Sequence, residues 1–117
     1  MDRIAEESLL FDYYGNLLTE KKRRVMELYH EENLSLSEIA EEFGITRAAV
    51  HDSLKSARKQ LAGYEERLGL VRQMDRRAGL LREIEARVLR VEEEHAQDRK
   101  LVSELDHIRK TLAELGE

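Results

Sequence analysis

The stretch Ser35-Leu36-Ser37-Glu38-Ile39-Ala40-Glu41-Glu42-Phe43-Gly44-Ile45-Thr46-Arg47-Ala48-Ala49-Val50-His51-Asp52-Ser53-Leu54 decides the fold. Ser35 followed three residues later by Glu38 is the reciprocal capping pattern that opens a helix. Leu36, Ile39, Ala40 and Phe43 recur at helical spacing and predict its buried face. Ala40 is small, as a close helix crossing requires. Gly44, four residues later, supplies a backbone tolerant of positive φ where the chain must turn. Ile45 is placed to plug the space beneath the turn, and Thr46 to cap the next helix. Val50, six residues after Gly44, and Leu54 fix that helix against the first. Small residue, turn glycine and buried aliphatics at these offsets predict a helix-turn-helix.

Working outward, Val50, Leu54, Ala57, Leu61, Tyr64 and Leu68 follow a 4-3-4-3-4 spacing. One apolar stripe of that length predicts a long helix running to Leu68, with Gly69 to end it. Upstream, Leu10, Tyr13 or Tyr14, and Leu17 predict a helix over 4–17. Thr19 caps another that carries Val25, Met26, Leu28 and Tyr29 and stops near Glu31-Glu32-Asn33. Beyond Gly69 two further stripes appear. Met74, Leu81, Ile84, Val88, Val91 and His95 make the first, and Leu101 or Val102, Leu105, Ile108, Leu112 and Leu115 the second. The heptad phase slips between them, and Asp98 is placed as a cap. Helices over about 70–94 and 98–115 are expected, as a hairpin or an extended arm, against the alternative of one uninterrupted coiled-coil helix.

Composition agrees with the pattern. Of 117 residues 38% are charged and 5% aromatic, with no proline or tryptophan, and helix formers dominate. The expected fold is all-α: a helix-turn-helix bundle like region 4 of sigma factors, with a C-terminal helical hairpin or arm. Residues 1–69 form the helix-turn-helix domain and residues 70–117 the arm, an element suited to dimerisation because its apolar stripes need cover.

The chain has no cysteine, so disulfides and thiolate sites are excluded. No signal peptide or membrane-length apolar run is visible, and a cytoplasmic protein without membrane insertion is expected. His30, His51, His95 and His107 lack metal-ligand spacing. No phosphate loop or nucleophile motif occurs. An enzyme is not expected, and neither is a cofactor or a metal.

Net charge is −5, which argues against non-specific coating of nucleic acid. Any phosphate grip has to be local. With Val50 and Leu54 buried, Thr46, Arg47, Ala48, His51, Asp52 and Lys55 face outward, and Arg58 and Lys59 lie further along. Arg47 or His51 suits guanine edges; Lys55 and Arg58 suit phosphates. Lys21-Lys22-Arg23-Arg24 is a second basic cluster. The acids Glu38, Glu41 and Glu42 weigh against it.

The run Leu10-Phe11-Asp12-Tyr13-Tyr14-Gly15-Asn16-Leu17-Leu18-Thr19-Glu20-Lys21-Lys22-Arg23, then Glu27-Leu28-Tyr29, then Leu34 to Asp52 and Tyr64-Glu65-Glu66-Arg67-Leu68, resembles the YlxM / p13-like family of helix-turn-helix proteins. The resemblance implies a regulatory or adaptor protein of the signal recognition particle pathway, since members are encoded beside the targeting GTPase. The implied partner is that GTPase, its RNA, or both. The alternative is a dimeric DNA-binding transcriptional regulator. Family members often carry bulkier or aromatic residues where this chain has Ala48 and His51. The family brings no catalytic residues.

Overall fold

A computed structural model of the protein describes residues 3–116. The regular structure among them is helical throughout: α1 (Arg3–Tyr14), α2 (Glu20–His30), α3 (Leu36–Phe43), α4 (Arg47–Leu68), α5 (Leu70–Glu94) and α6 (Arg99–Leu115). Contacts divide the chain into residues 1–71 and 72–117, a division two residues beyond the Gly69 boundary expected from the pattern.

Every cap read from the sequence of the first unit is formed. The Thr19 hydroxyl accepts the Lys22 amide at 3.3 Å, and that of Thr46 the Ala49 amide at 3.0 Å. Ser35 Oγ accepts from the Glu38 amide while Glu38 Oε1 accepts from the Ser35 amide, both at 3.1 Å. These bonds satisfy donors that a helix start leaves without a partner. Gly44 sits at φ 66°. Its amide donates to the Glu41 carbonyl, and the Ile45 amide to the Ala40 carbonyl at 3.0 Å. That pair of bonds is the Schellman arrangement, which turns the chain in one left-handed residue and drops the next apolar side chain back on the helix. Ile45 packs there against the core.

The core of the first unit is Tyr14, Leu18, Val25, Met26, Leu28, Ile39, Ala40, Val50, Leu54, Ala57, Leu61 and Val71. Two expectations need correction, the end of the first helix and the extent of the α4 stripe, and one alternative is resolved. The first helix ends at Tyr14, and Gly15–Leu17 tighten into a 3-10 turn. That turn changes the angle per residue, so Leu18 enters the core and Leu17 stays 55% exposed. Tyr14, not Tyr13, is the buried aromatic. The stripe of α4 stops being buried after Leu61 and a partly covered Tyr64, and Leu68 is 56% exposed. Periodicity continues past the point where partner helices run out.

Tyr14 has a polar task as well. Its hydroxyl donates to Glu65 Oε1 at 2.6 Å and accepts the Leu70 amide at 3.0 Å. The same Glu65 oxygen accepts the Val71 amide at 3.0 Å. Gly69, at φ 62°, has no side chain with which to cap α5. Tyr14 and Glu65 therefore take the first two free donors of that helix from outside it, and the carboxylate also favours the positive end of the helix dipole.

In the second unit, α5 and α6 are antiparallel, joined through His95–Gln97. Asp98 Oδ1 accepts the Leu101 amide at 3.1 Å. Arg109 ties the pair together, reaching Glu92 at 3.0 Å and Asp106 at 2.8 Å. The last turn of α6 comes back to Leu81. The break at His95–Asp98 is real, and the arrangement is a hairpin.

Candidate nucleic-acid interface

The start of α4 is aimed by its burial. Val50 and Leu54 are 0% and 2% exposed; the helix can rotate very little without pulling them from the core. Arg47, Ala48, His51, Asp52, Lys55 and Lys59 then fall on the solvent side, and all six are exposed. Arg47, His51 and Lys55 rise along one edge at four-residue spacing, so neighbouring side chains are one turn apart. Lys59 continues the row. His51 Nδ1 lies 3.8 Å from Asp52 Oδ1, too far for a hydrogen bond, and both groups remain open to a ligand. Thr46 is exposed too, but its hydroxyl oxygen is engaged in the cap.

The basic cluster of α2 sits on the flank of the same helix. Lys22 Nζ donates to Gln60 Oε1 at 3.4 Å, one residue beyond Lys59. The two basic segments seen separately in the sequence thus adjoin. Arg24 pairs with Glu27 at 3.2 Å, an exposed one-turn pair of little energetic weight. Of the acids on α3, Glu38 is engaged in the capping box; Glu41 and Glu42 are exposed.

Arg58 does not belong to this edge. Its Nε lies 3.2 Å from Glu7 Oε1, and its guanidinium stands over the Tyr29 ring, 5.5 Å from the centroid. The charge that looked available for phosphate is committed to α1 and α2. Glu7 Oε2 also stands 3.5 Å from His30 Nε2, and the His30 side chain is only 9% exposed. Glu7, His30 and Arg58 line a groove of about 500 Å³ with Arg3, Tyr29 and Leu34.

Sequence reasoning considered His30 only as a metal ligand, found no ligand spacing, and missed this cluster. The signal was present: Glu7 is seven residues before Tyr14, hence on the buried side of α1. Burial pulls the His30 imidazole below its ordinary range, and the opposing attraction of Glu7 does not outweigh it. A folded-state pKa below the unfolded value of about 6.5 means that the unfolded chain binds more protons there. Stability contributed by neutral His30 is present above that value and is lost as pH falls through it. A fall in Tm between about pH 7.5 and pH 5.5 is therefore expected, and His30→Asn should flatten it. An unchanged slope in the variant assigns the dependence elsewhere.

Among the described residues no group of His, Asp and Glu is placed to hold a metal ion, and no helix is long and apolar enough to cross a membrane.

Comparison with known proteins follows the same lines. The family described as "Putative helix-turn-helix protein, YlxM / p13 like" matches over residues 1–102. A UPF0122 protein of Desulforamulus reducens is 55% identical over 71 residues, 61% of each chain. One from Halalkalibacterium halodurans is 43% identical over 76 residues, 65% of this chain and 70% of that one. One from Clostridium perfringens is 49% identical over 76 residues, 65% of this chain and 68% of its own length. The chain thus spans about three fifths of the first of these relatives.

Proposed function

The chain belongs to the YlxM / p13-like family of helix-turn-helix proteins, and from that premise we propose that it is a non-enzymatic adaptor of the signal recognition particle. In this reading it regulates the targeting GTPase by contacting the particle through the exposed edge of α4. The single observation that carries the contact is that edge: Arg47, His51, Lys55 and Lys59 in the open on a helix held by Val50 and Leu54. Side chains of this kind suit RNA phosphates and unstacked bases, and a direct surface on the GTPase is the other partner of the same class of action. The pathway itself enters from the family resemblance.

The test is GTP hydrolysis by the purified targeting GTPase, with and without its RNA, as the chain is added at low micromolar concentration. A changed rate that is lost when Arg47 and Lys55 become Ala supports the reading. An unchanged rate overturns it.

A second reading is favoured by one specific feature. Arg47, Ala48, His51 and Asp52 are exposed on the outward side of the first two turns of α4, the part of a recognition helix that enters a major groove. Arg47 and His51 would then read base edges in duplex DNA, and the protein would regulate transcription. Selection of a preferred sequence from random duplexes, with no effect on GTP hydrolysis, is the result that decides for it.

A further inference from the structure

The groove lined by Arg3, Tyr29, His30, Leu34 and Arg58 is no part of the exposed edge of α4. Glu7 is the one carboxylate among its described lining residues. Its oxygens lie 3.2 Å from Arg58 Nε, 3.5 Å from His30 Nε2 and 3.9 Å from Arg3 Nε. Neither Arg58 Nε nor His30 Nε2 makes a hydrogen bond to it or to any other group, although both atoms are buried. The carboxylate is close to both nitrogens and in line with neither. The His30 side chain is only 9% exposed, so its nitrogen is closed off from bulk solvent as well. Folded proteins seldom leave buried nitrogens in that state, because each has given up water without gaining a partner.

Charge and shape both suit an occupant. Two guanidiniums, Arg3 and Arg58, face the one carboxylate, and burial holds His30 below its ordinary range. One positive charge is therefore left over among these groups near neutral pH. Tyr29, Leu34 and Ile4 give the wall an apolar part, and Ser8 and Asn33 add polar atoms. The volume of about 500 Å³ falls within the roughly 300–1,000 Å³ of sites that hold small organic molecules. An apolar wall with a few converging polar groups is the usual form of such a site.

We infer that the groove binds a small organic oxyanion, a carboxylate or phosphate carried on a compact apolar body. The head group takes the position of the Glu7 carboxylate between Arg58 and His30. An oxyanion that is free to turn can lie in line with both nitrogens, which the carboxylate tethered to α1 does not. A guanidinium also offers paired N–H groups that match two oxygens of one oxyanion. The apolar body lies against Tyr29 and Leu34. Glu7 has a second partner to turn toward: Arg3 is one helical turn before it, and the Arg3 side chain is 88% exposed. A nucleic-acid strand on α4 does not serve as the occupant, because Arg58 is only 33% exposed and is turned from the row such a strand follows. Neither the targeting GTPase nor its RNA is needed for this site.

The test is nitrogen-15 NMR of the histidine imidazoles of the full chain at about pH 7.5, with His30 assigned by His30→Asn. Phenyl phosphate is compared with inorganic phosphate, and benzoate with acetate, each to about 20 mM. In at least one pair the aromatic member is expected to shift the His30 Nε2 resonance with a millimolar dissociation constant. It should bind at least about threefold tighter than its partner, which has no body to bury. The pair that responds names the head group. Arg58→Gln should abolish the shift. Glu7→Gln, which removes the internal competitor, should tighten binding by about fivefold or more. Leu34→Ser keeps every charge and should remove the advantage of the aromatic member. Unchanged helical circular dichroism shows that each variant is folded. The proposal is overturned if no probe moves His30, or if Glu7→Gln leaves the affinity unchanged or weaker. It is equally overturned if His51 and His107 respond as strongly as His30.

Discussion

Leu54→Ala is expected to remove about 3 kcal/mol from the stability of residues 1–71, within the roughly 2–5 kcal/mol seen for buried leucines cut to alanine. Leu54 is 2% exposed and packs in the core shared by Ile39, Val25 and Val50. Truncation loses the transfer energy of three carbons and leaves a void that two capped helices, held by their own turn, have little freedom to close. A domain of this size has only some 5–15 kcal/mol in total. Urea unfolding should show a lower midpoint at an unchanged m-value. Lys55→Ala, one residue on and fully outward, should stay within about 0.5 kcal/mol. If the two variants behaved alike, the orientation of α4 described above would be wrong.

The second large effect concerns Tyr14 and Glu65. Glu65→Ala removes the acceptor of both the Tyr14 hydroxyl and the Val71 amide. Tyr14→Phe removes the donor to Glu65 and the acceptor of the Leu70 amide. Each leaves polar groups short of the partner they hold in the fold, at a cost of about 1–3 kcal/mol. Because the two side chains serve one network, their effects should not add. A double-mutant cycle should return a coupling of about 0.5–3 kcal/mol. Additive losses would show that the first turn of α5 does not depend on this bridge.

Much of this was legible in the sequence, for identifiable reasons. Caps, turn glycines and apolar periodicity are local signals, and Ser35, Thr46, Gly44 and Asp98 behave in the structure as their spacing implied. Leu17 and Leu68 were misplaced because periodicity reports which side of a helix a residue occupies, not whether a neighbour covers it. The 3-10 turn at Gly15–Leu17 shifts that side by a fraction of a turn, which no pattern in the run Gly15-Asn16-Leu17 announces.

The outward row of Arg47, His51 and Lys55 was readable because it is the complement of the buried stripe. The loss of Arg58 from that row was not, because its partners Glu7 and Tyr29 are 51 and 29 residues away in sequence. The same holds for Tyr14 and Glu65, whose meeting is long-range. A Tyr followed by Gly in the first helix carries no local hint that its hydroxyl caps the fifth.

The measurement that bears most directly on the role proposed for α4 is the salt dependence of binding to the targeting RNA, the partner of that proposal which carries phosphates. Log affinity against log salt should be a straight line for the natural chain, and the slope should become shallower by about 0.7–0.9 for each phosphate contact removed. Arg47→Ala with Lys55→Ala is expected to flatten it by that amount or more, whereas Arg58→Ala, already turned toward Glu7, should not. A slope that the first pair leaves untouched, or that Arg58→Ala flattens equally, would contradict the assignment of the exposed edge of α4 as the contact surface.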